Sequence, residues 1–485
     1  MKTLTTSTNL NKFNHIYLMG IKGVAMTSIA QILLDFGKKV SGCDVPAKFV
    51  TQNLLNKLDL SIDQGFTHQL PKNIDCVIFT SAHGGPRNPI VLQAKKQNIQ
   101  TYSQAEALAY FFNQKKGIGI SGVGGKSTTS AMVAWILEKC NLSPSFSVGV
   151  GEIIGMNRTG RWNNISDFFV AEADEYVIDP NCNDQPDQIT PRFSFLHPQI
   201  SVCTNLAFDH PDVYHSIQHT KEVFANYFTQ TKNRGSLIYN ADSQDLVDTI
   251  SYIQQHLNKK DLSLLTYGRS EDVDARIINS SIKDQLNLGE AIINGKKVSL
   301  ELQIPGEFNL FNAVAAILAV NQVGVNINEA IDALTSFRGI QRRFEFKGEK
   351  EGVFYYDDYA HHPDEIRKTI LALEQWHPNK RVVVAFQPHT FSRTKQLFDD
   401  FVDALSTARE VLLLDIFPSA REQIDTSINS DMLVAAVNQS ETNTRITNLK
   451  NADNLLEYCQ TKLAPGDVLM TMGAGDIYEI HDLVE

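Results

Sequence analysis

Between Lys116 and Lys139 an apolar run, Gly117-Ile-Gly-Ile-Ser, enters a glycine-rich turn, Gly122-Val-Gly-Gly125-Lys126-Ser127, and leaves it as a helix-forming segment over Thr128–Lys139. A strand that passes through such a turn into a helix marks a parallel α/β unit. The glycines let backbone amides at the helix N-terminus close around an anion. Lysine in that place neutralises β/γ-phosphate charge, and the serine hydroxyl is an oxygen ligand suited to Mg2+. The full eight-residue phosphate-loop pattern is not met, because Ile120 stands where its first glycine belongs; the shorter G-x-x-G-K-S form remains. In this context nucleotide binding is the favoured reading over a structural glycine turn.

The same alternation of short apolar runs and amphipathic stretches continues along the chain, which predicts parallel sheets covered by helices. With 485 residues there is material for two to four domains at about 100–200 residues each. Three units are expected, over 1–114, 115–336 and 337–485. The first opens with the strand His15-Ile-Tyr-Leu-Met, the turn Gly20-Ile-Lys-Gly23-Val-Ala25 and a helix to Phe36; a second strand from Lys39 ends on Asp44. A later strand, Cys76-Val-Ile-Phe, runs into Thr80-Ser-Ala-His-Gly-Gly-Pro. The turn lacks G-x-G-x-x-G spacing, with Lys22 at the middle glycine, so a nucleotide-binding loop and a purely structural turn both remain open. Asp44 is placed to accept from a sugar hydroxyl. The third unit carries strands at Val353-Phe-Tyr-Tyr, Arg381-Val-Val-Val-Ala, Glu410-Val-Leu-Leu-Leu and Asp467-Val-Leu-Met-Thr.

Composition narrows the partners. Forty-four Lys and Arg against 55 Asp and Glu leave a net charge of −11, which argues against a non-specific nucleic-acid binder. Cys43, Cys76, Cys140, Cys182, Cys203 and Cys459 are scattered without a C-x-x-C pair, so free thiols are expected rather than disulfides or a zinc knuckle. The N-terminal MKTLTTSTNLNKFNH lacks a signal-peptide core, and the AVAAILAV run ending at Val320 is far short of the ~18–20 residues that span a bilayer. A cytoplasmic protein without membrane or nucleic-acid partners is the expectation; oligomeric state is not legible.

Further polar groups fall at strand ends of the second unit: Glu172-Ala-Asp174-Glu175 after Phe168-Phe, and Thr204-Asn205 leading to Asp209-His210. Carboxylates there, beside a phosphate loop, are placed as Mg2+ ligands. With Gly306-Glu-Phe-Asn309-x-x-Asn312, Phe337-Arg-Gly-x-x-Arg342-Arg343, Tyr356-Asp-Asp358-Tyr-Ala-His361-His-Pro and Phe386-Gln-Pro-His389-x-Phe-Ser-Arg393-Thr, the order of motifs resembles the Mur ligase family from about residue 15 to 480. The family's sparse invariant set falls on Lys126, Glu172, His210, Asn309, Asn312, Arg343 and Asp358.

The resemblance implies an α/β fold of three domains: a Rossmann-like N-terminal domain, a central P-loop ATPase domain and a Rossmann-like C-terminal domain. It implies an ATP- and Mg2+-dependent ligase that activates a carboxylate as an acyl phosphate, in the branch joining UDP-N-acetylmuramate to L-alanine for peptidoglycan synthesis. Lys126, Glu172 and His210 would be catalytic, with Ser127, Glu172 and His210 at the metal. Gly122, Gly125, Lys126, Ser127, Thr128, Asn309, Asn312, Arg343 and Asp358 would bind ATP. Gly20, Gly23, Asp44, Ser81 and His83 would hold the UDP-sugar, and Tyr359, His361, His389 and Arg393 the amino acid. The chain departs from the family's pattern at Lys22, Ala25, Gly124, Phe308 and Thr390, and in extra sequence over Asn181–Arg192. The alternatives are the recycling branch that adds a tripeptide and a non-catalytic nucleotide-binding homologue.

Overall fold

The computed structural model describes residues 8–180, 189–210, 212–257, 261–418, 422–440 and 442–484. The chain divides into two compact units. One comprises Met1–Asn279, Gly289–Glu301 and Leu310–Ile340; the other comprises Ser280–Leu288, Leu302–Asn309 and Gln341–Glu485.

One sheet lies wholly in the first unit and a second for the most part. The N-terminal sheet has the order Ser61–Gln64, Lys39–Asp44, His15–Met19, Cys76–Phe79, Gln100–Ser103, all parallel. The central strands His15–Met19 and Cys76–Phe79 read as apolar runs because both faces are covered, whereas the edge strand Ser61–Gln64 is polar and open. Ile16, Leu18 and Ile78 pack into one core with Ile29, Leu33 and Phe111, while Tyr17, Met19 and Val77 face a second with Ile90 and Val91. The strand order reverses beside His15–Met19, so Gly20 and Thr80 emerge at the switch point, where open α/β sheets bind ligands.

The second sheet runs Lys296–Leu302, Leu286–Ile293, Ala275–Lys283, Ser263–Gly268, Ser236–Asn240, Ile200–Cys203, Lys116–Ser121, Phe168–Glu172, Ser145–Ser147, Gly160–Arg161. Lys116–Ser121 pairs in parallel with Ile200–Cys203 and Phe168–Glu172, with Ser121 opposite Cys203 and Ile120 opposite Glu172. That register delivers the glycine turn, Glu172 and Thr204 to one edge. The helix after the turn spans Lys126–Lys139, so it begins two residues earlier than the sequence suggested and takes the lysine into its first turn. Ser127–Leu137 are buried throughout, and Trp135 Nε1 donates to the Ala333 carbonyl at 2.9 Å.

The sheet of the second unit runs Glu345–Lys350, Val353–Asp358, Val468–Met472, Val382–Phe386, Glu410–Leu414, Arg445–Lys450, antiparallel only at the first pair. Val382, Val384 and Phe386 face helices Pro363–Trp376 and Phe398–Leu405, and Val383 and Ala385 face helix Ala452–Lys462. Cys43, Cys76, Cys203 and Cys459 are buried free thiols and Cys140 is partly buried; Cys182 lies outside the described residues. No helix among the described residues is long and apolar enough to cross a membrane.

Two buried histidines make this second unit acid-sensitive. His377 Nε2 lies 3.0 Å from the Tyr356 hydroxyl, and His481 Nε2 lies 2.7 Å from Thr471 Oγ1. Burial pushes each imidazole down to about 4, with Lys380 adding to the effect at His377. A histidine neutral in the fold but protonated when unfolded contributes stability above pH 6.5, and that stability is lost as pH falls toward 4. From pH 7 to pH 5 each site should remove about 2 kcal/mol. The urea midpoint of the second unit should therefore drop over that range, and His377→Gln should shrink the drop. An equal drop in the variant would show that His377 is not a source.

Candidate functional site

The glycine turn is held from behind. Asn205 Oδ1 accepts the N–H groups of Val123 and Gly124, both at 2.9 Å, and Thr204 Oγ1 donates to the Gly124 carbonyl. Gly122 has φ +127°, and a Cβ there would lie 2.2 Å from Thr204 Oγ1 and 3.0 Å from the Asn205 backbone nitrogen. Gly125, at φ +85°, caps the helix; a Cβ there would lie 2.6 Å from Asn312 Oδ1. Glycine is required at both by conformation and by space. Thr128 and Asn312 are buried beside this turn, and Asn309 sits in the first turn of helix Glu307–Asn321 with its Nδ2 on the Pro305 carbonyl at 2.7 Å.

Lys126 is surrounded by acid. Its Nζ donates to Glu175 Oε1 at 3.0 Å and to the carbonyls of Gly122 and Val123. Burial works against its charge, but Glu175, Glu172 and Asp174 outweigh burial and hold the ammonium above its usual range. Ser127 Oγ donates to Glu172 Oε1 at 3.1 Å, and Gly149 N–H donates to Glu172 Oε2 at 2.9 Å. His210, at φ +55°, places Nε2 3.7 Å from both Glu175 Oε1 and Asp209 Oδ2, with its ring edge-on to Tyr176. Asp174 opposes burial with Arg192, whose Nη1 is 2.6 Å away, and with Lys126; its carboxyl is held down at about 2. Among the described residues no cluster of three His, Cys, Asp or Glu side chains is arranged to hold a metal by itself. The hydroxyl–carboxylate pair of Ser127 and Glu172 is nonetheless an oxygen donor set of the kind a hard cation takes.

The first sheet brings its own predicted residues together. Asp44 Oδ2 accepts Lys22 N–H at 2.7 Å and Oδ1 accepts Val45 N–H at 2.8 Å, while His83 Nε2 lies 3.8 Å from Oδ1. Burial raises the Asp44 carboxyl above its ordinary value against these hydrogen bonds. Lys22, at the missing middle glycine, turns its ammonium onto the carbonyls of Val45 and Ala47, at 2.9 and 2.8 Å. Gly20 and Gly23 form the turn, Gly23 capping the helix Val24–Asp35, and Ser81 is buried past the end of Cys76–Phe79. A cavity of about 130 Å3 touches Ala25 and Gln104 on this side and Glu172, Asp174 and Arg192 on the other.

In the second unit, the rings of Tyr359 and His361 lie 5.1 Å apart and those of His361 and His389 6.4 Å apart, with His389 stacked on Phe417. Arg393 is buried in helix Phe391–Gln396, its Nη1 3.5 Å from the His389 carbonyl. Thr390, where the family's second arginine belongs, caps that helix by accepting Arg393 N–H. The adjacent arginines differ. Arg342 is buried, on Asp357 at 3.0 Å and the Gly473 carbonyl at 2.6 Å, whereas Arg343 is more open, 3.4 Å from Glu365 and beside the Tyr359 ring. Asp358 accepts Phe344 N–H at 2.7 Å and Ala360 N–H at 2.6 Å; burial, opposed by Arg343, pushes it up to about 6.

Family models match in chain order: Mur ligase family, catalytic domain, over 15–116; Mur ligase middle domain over 120–320; and Mur ligase, glutamate ligase domain, over 342–475. The chain belongs to the Mur ligase family. The UDP-N-acetylmuramate–L-alanine ligase of Clostridium kluyveri is 35% identical over 480 residues, covering 97% of this chain and 98% of that protein. The corresponding ligase of Clostridium tetani is 34% identical over 481 residues, 98% of each. Among solved structures, the UDP-N-acetylmuramate–alanine ligase of Thermotoga maritima superposes with a TM-score of 0.78 at 22% identity, over 97% of this chain and 98% of that one.

The structure gives individual contacts to residues that the sequence offers only as members of a motif. Glu175 meets both Lys126 and His210, Asn205 staples the loop, and Asp174 and Arg192 line the cavity. Each lay inside a motif already singled out, or at its edge, but spacing alone does not say which acid of Glu172-Ala-Asp-Glu turns toward the lysine. Of the extra stretch 181–192, residues 181–188 lie outside the described residues. The loop geometry makes a direct prediction: Gly122→Ala should cost about 1–3 kcal/mol, read as a lower urea midpoint. A variant as stable as its parent would contradict the close approach of Thr204.

Proposed function

We propose that the chain is an ATP-dependent carbon–nitrogen ligase that joins the carboxylate of UDP-N-acetylmuramate to the amine of L-alanine, for peptidoglycan synthesis. The observation that carries this is the part-buried Lys126 in the first turn of its helix, with Ser127 on Glu172, in a chain aligned end to end with ligases of that name. The carboxylate oxygen of the sugar nucleotide attacks the γ-phosphorus and ADP leaves. The amine nitrogen then attacks the acyl carbon, the carbon–oxygen bond to phosphate breaks, and the ammonium proton is lost.

In this reading the domains follow 1–114 for the UDP-sugar, 115–336 for ATP and 337–485 for the amino acid. Lys126 offsets charge that builds on the transferring phosphoryl group, with Gly122, Gly125 and Thr128 shaping the loop around it. Ser127, Glu172 and His210 would hold Mg2+, which supplies charge neutralisation between phosphate oxygens when bound. Asn309 and Asn312 take the adenine edge, Arg343 the phosphates and Asp358 the ribose. Gly20, Gly23, Asp44, Ser81 and His83 hold the sugar nucleotide. The cavity touching Ala25, Glu172 and Arg192 supports this, since it leads from the first turn to the carboxylates beside Lys126. Tyr359, His361, His389 and Arg393 hold the amino acid. A reaction that consumes ATP and a nucleotide sugar is consistent with action in the cytoplasm.

Phosphate release is the test. It should require ATP, Mg2+, UDP-N-acetylmuramate and an amino acid together, with L-alanine preferred over glycine and L-serine. Release that needs the L-alanyl-containing tripeptide and ignores free amino acids would move the chain to the recycling branch. Release without any of them, or none at all despite ATP binding, would remove the ligase reading.

Arg393 tests the amino-acid site separately. A bidentate guanidinium–carboxylate contact is worth roughly 1.5–3 kcal/mol, or about 10- to 150-fold in affinity. Arg393→Ala should raise the KM for L-alanine by that factor and leave the KM for ATP within a few-fold. Equal KM values for L-alanine in parent and variant would take Arg393 out of the pocket.

A further inference from the structure

We propose that Glu175 is a positioning residue that holds the phosphate-loop lysine against its own loop until a nucleotide polyphosphate displaces it. The proposal rests on the ATP-dependent reading above and deepens it. An ammonium has three N–H donors. On Lys126 these are matched by three acceptors: the Gly122 carbonyl, the Val123 carbonyl at 3.3 Å and Glu175 Oε1 at 3.0 Å. A phosphate oxygen therefore gains this ammonium only by exchange. Of the three acceptors the carboxylate alone carries charge, so it dominates what must be given up.

Glu175 is not free to follow the lysine. Its side chain is 3% exposed, its backbone carbonyl accepts the hydroxyl of buried Tyr214, and Oε2 is buried without a hydrogen-bond partner among the described residues. What remains beside the carboxylate once Lys126 turns to phosphate is His210, whose Nε2 already lies 3.7 Å from Oε1. The same acid thus sits between the lysine assigned to the transferring phosphoryl group and the histidine assigned to Mg2+. Glu172 differs, because its oxygens are engaged by Ser127 and by the Gly149 amide. The loop accordingly discriminates by phosphate charge: a ligand that lacks β- and γ-phosphates does not reach Lys126 and has nothing to exchange for Glu175.

The experiment is calorimetric titration of MgATP and of AMP into the full chain, its Glu175→Gln and Lys126→Ala variants, and the double variant. Glutamine keeps the shape and an acceptor while removing the charge. Glu175→Gln should bind MgATP about tenfold more tightly, as expected for loss of a charge-assisted hydrogen bond that competes with ligand. Its affinity for AMP should stay within twofold. In the Lys126→Ala background the same change should alter MgATP affinity by less than twofold, because the competition runs through the lysine. If Glu175→Gln does not fold, Glu175→Asp, which retracts the carboxylate by one methylene, should shift MgATP in the same direction by a smaller factor. Unchanged or weaker MgATP binding, tightening shared by AMP, or tightening that persists without Lys126 each overturns the proposal. Absence of MgATP binding by the parent chain overturns the ATP reading as well; normal parent binding with no change in the variant overturns this proposal alone.

Discussion

An ammonium largely withdrawn from water must be matched by nearby negative charge, and the first unit meets that requirement at Lys126. The acids Glu172, Asp174 and Glu175 come from the end of one strand and the segment just beyond it. Three carboxylates so close repel one another, so each is held by a separate device. Glu172 takes Ser127 and the Gly149 amide, Asp174 takes Arg192 and the Tyr176 amide, and Glu175 takes the lysine itself. The lysine is thus the charge that allows the acids to gather. The acids in turn fix where the lysine can rest.

The second unit solves a similar problem without a ligand-facing lysine. Arg342 is buried between the rings of Tyr478 and Tyr359, bonded to Asp357 and to the carbonyls of Gly473 and Gly475. Thr471 donates to Asp357 and lies against His481, closing a network at the ends of two neighbouring parallel strands, Val353–Asp358 and Val468–Met472. These contacts tie the two strand ends together, although His481 Nδ1 is buried without a hydrogen-bond partner among the described residues. The network sets the direction in which the chain leaves Asp358, and therefore where Tyr359 and His361 present their rings.

How much of this was legible follows from what each signal depends on. The strands His15–Met19, Cys76–Phe79, Val382–Phe386 and Glu410–Leu414 were readable because parallel strands buried on both faces are continuously apolar. The strands Ala275–Lys283 and Leu286–Ile293 are not legible as apolar runs, since the first is buried only at Ala275 and Ile277 and the second alternates buried with half-buried positions. At the site, residue types were legible and their pairings were not. Which of two adjacent arginines is buried, or which of three near-adjacent acids reaches a lysine, is decided by register and by turn geometry. His210 and Thr390 at positive φ are cases where the backbone, not the residue type, aims the group.

The two glycine turns show the limit most sharply. Both follow a central parallel strand, both enter a helix, and both contain a lysine within a few residues of a glycine. In the first, Asp44 accepts the Lys22 amide and the ammonium turns back onto the carbonyls of residues 45–47, so the charge closes the next loop. In the second, Asn205 ties down the amides of Val123 and Gly124, and the ammonium is left to the acids at the neighbouring strand end. In both turns a neighbouring side chain takes loop amides: the carboxylate of Asp44 at the end of its strand in the first, and the uncharged amide of Asn205, two residues past its strand, in the second. A glycine–lysine turn is therefore read together with the side chains at and just past the ends of the neighbouring strands.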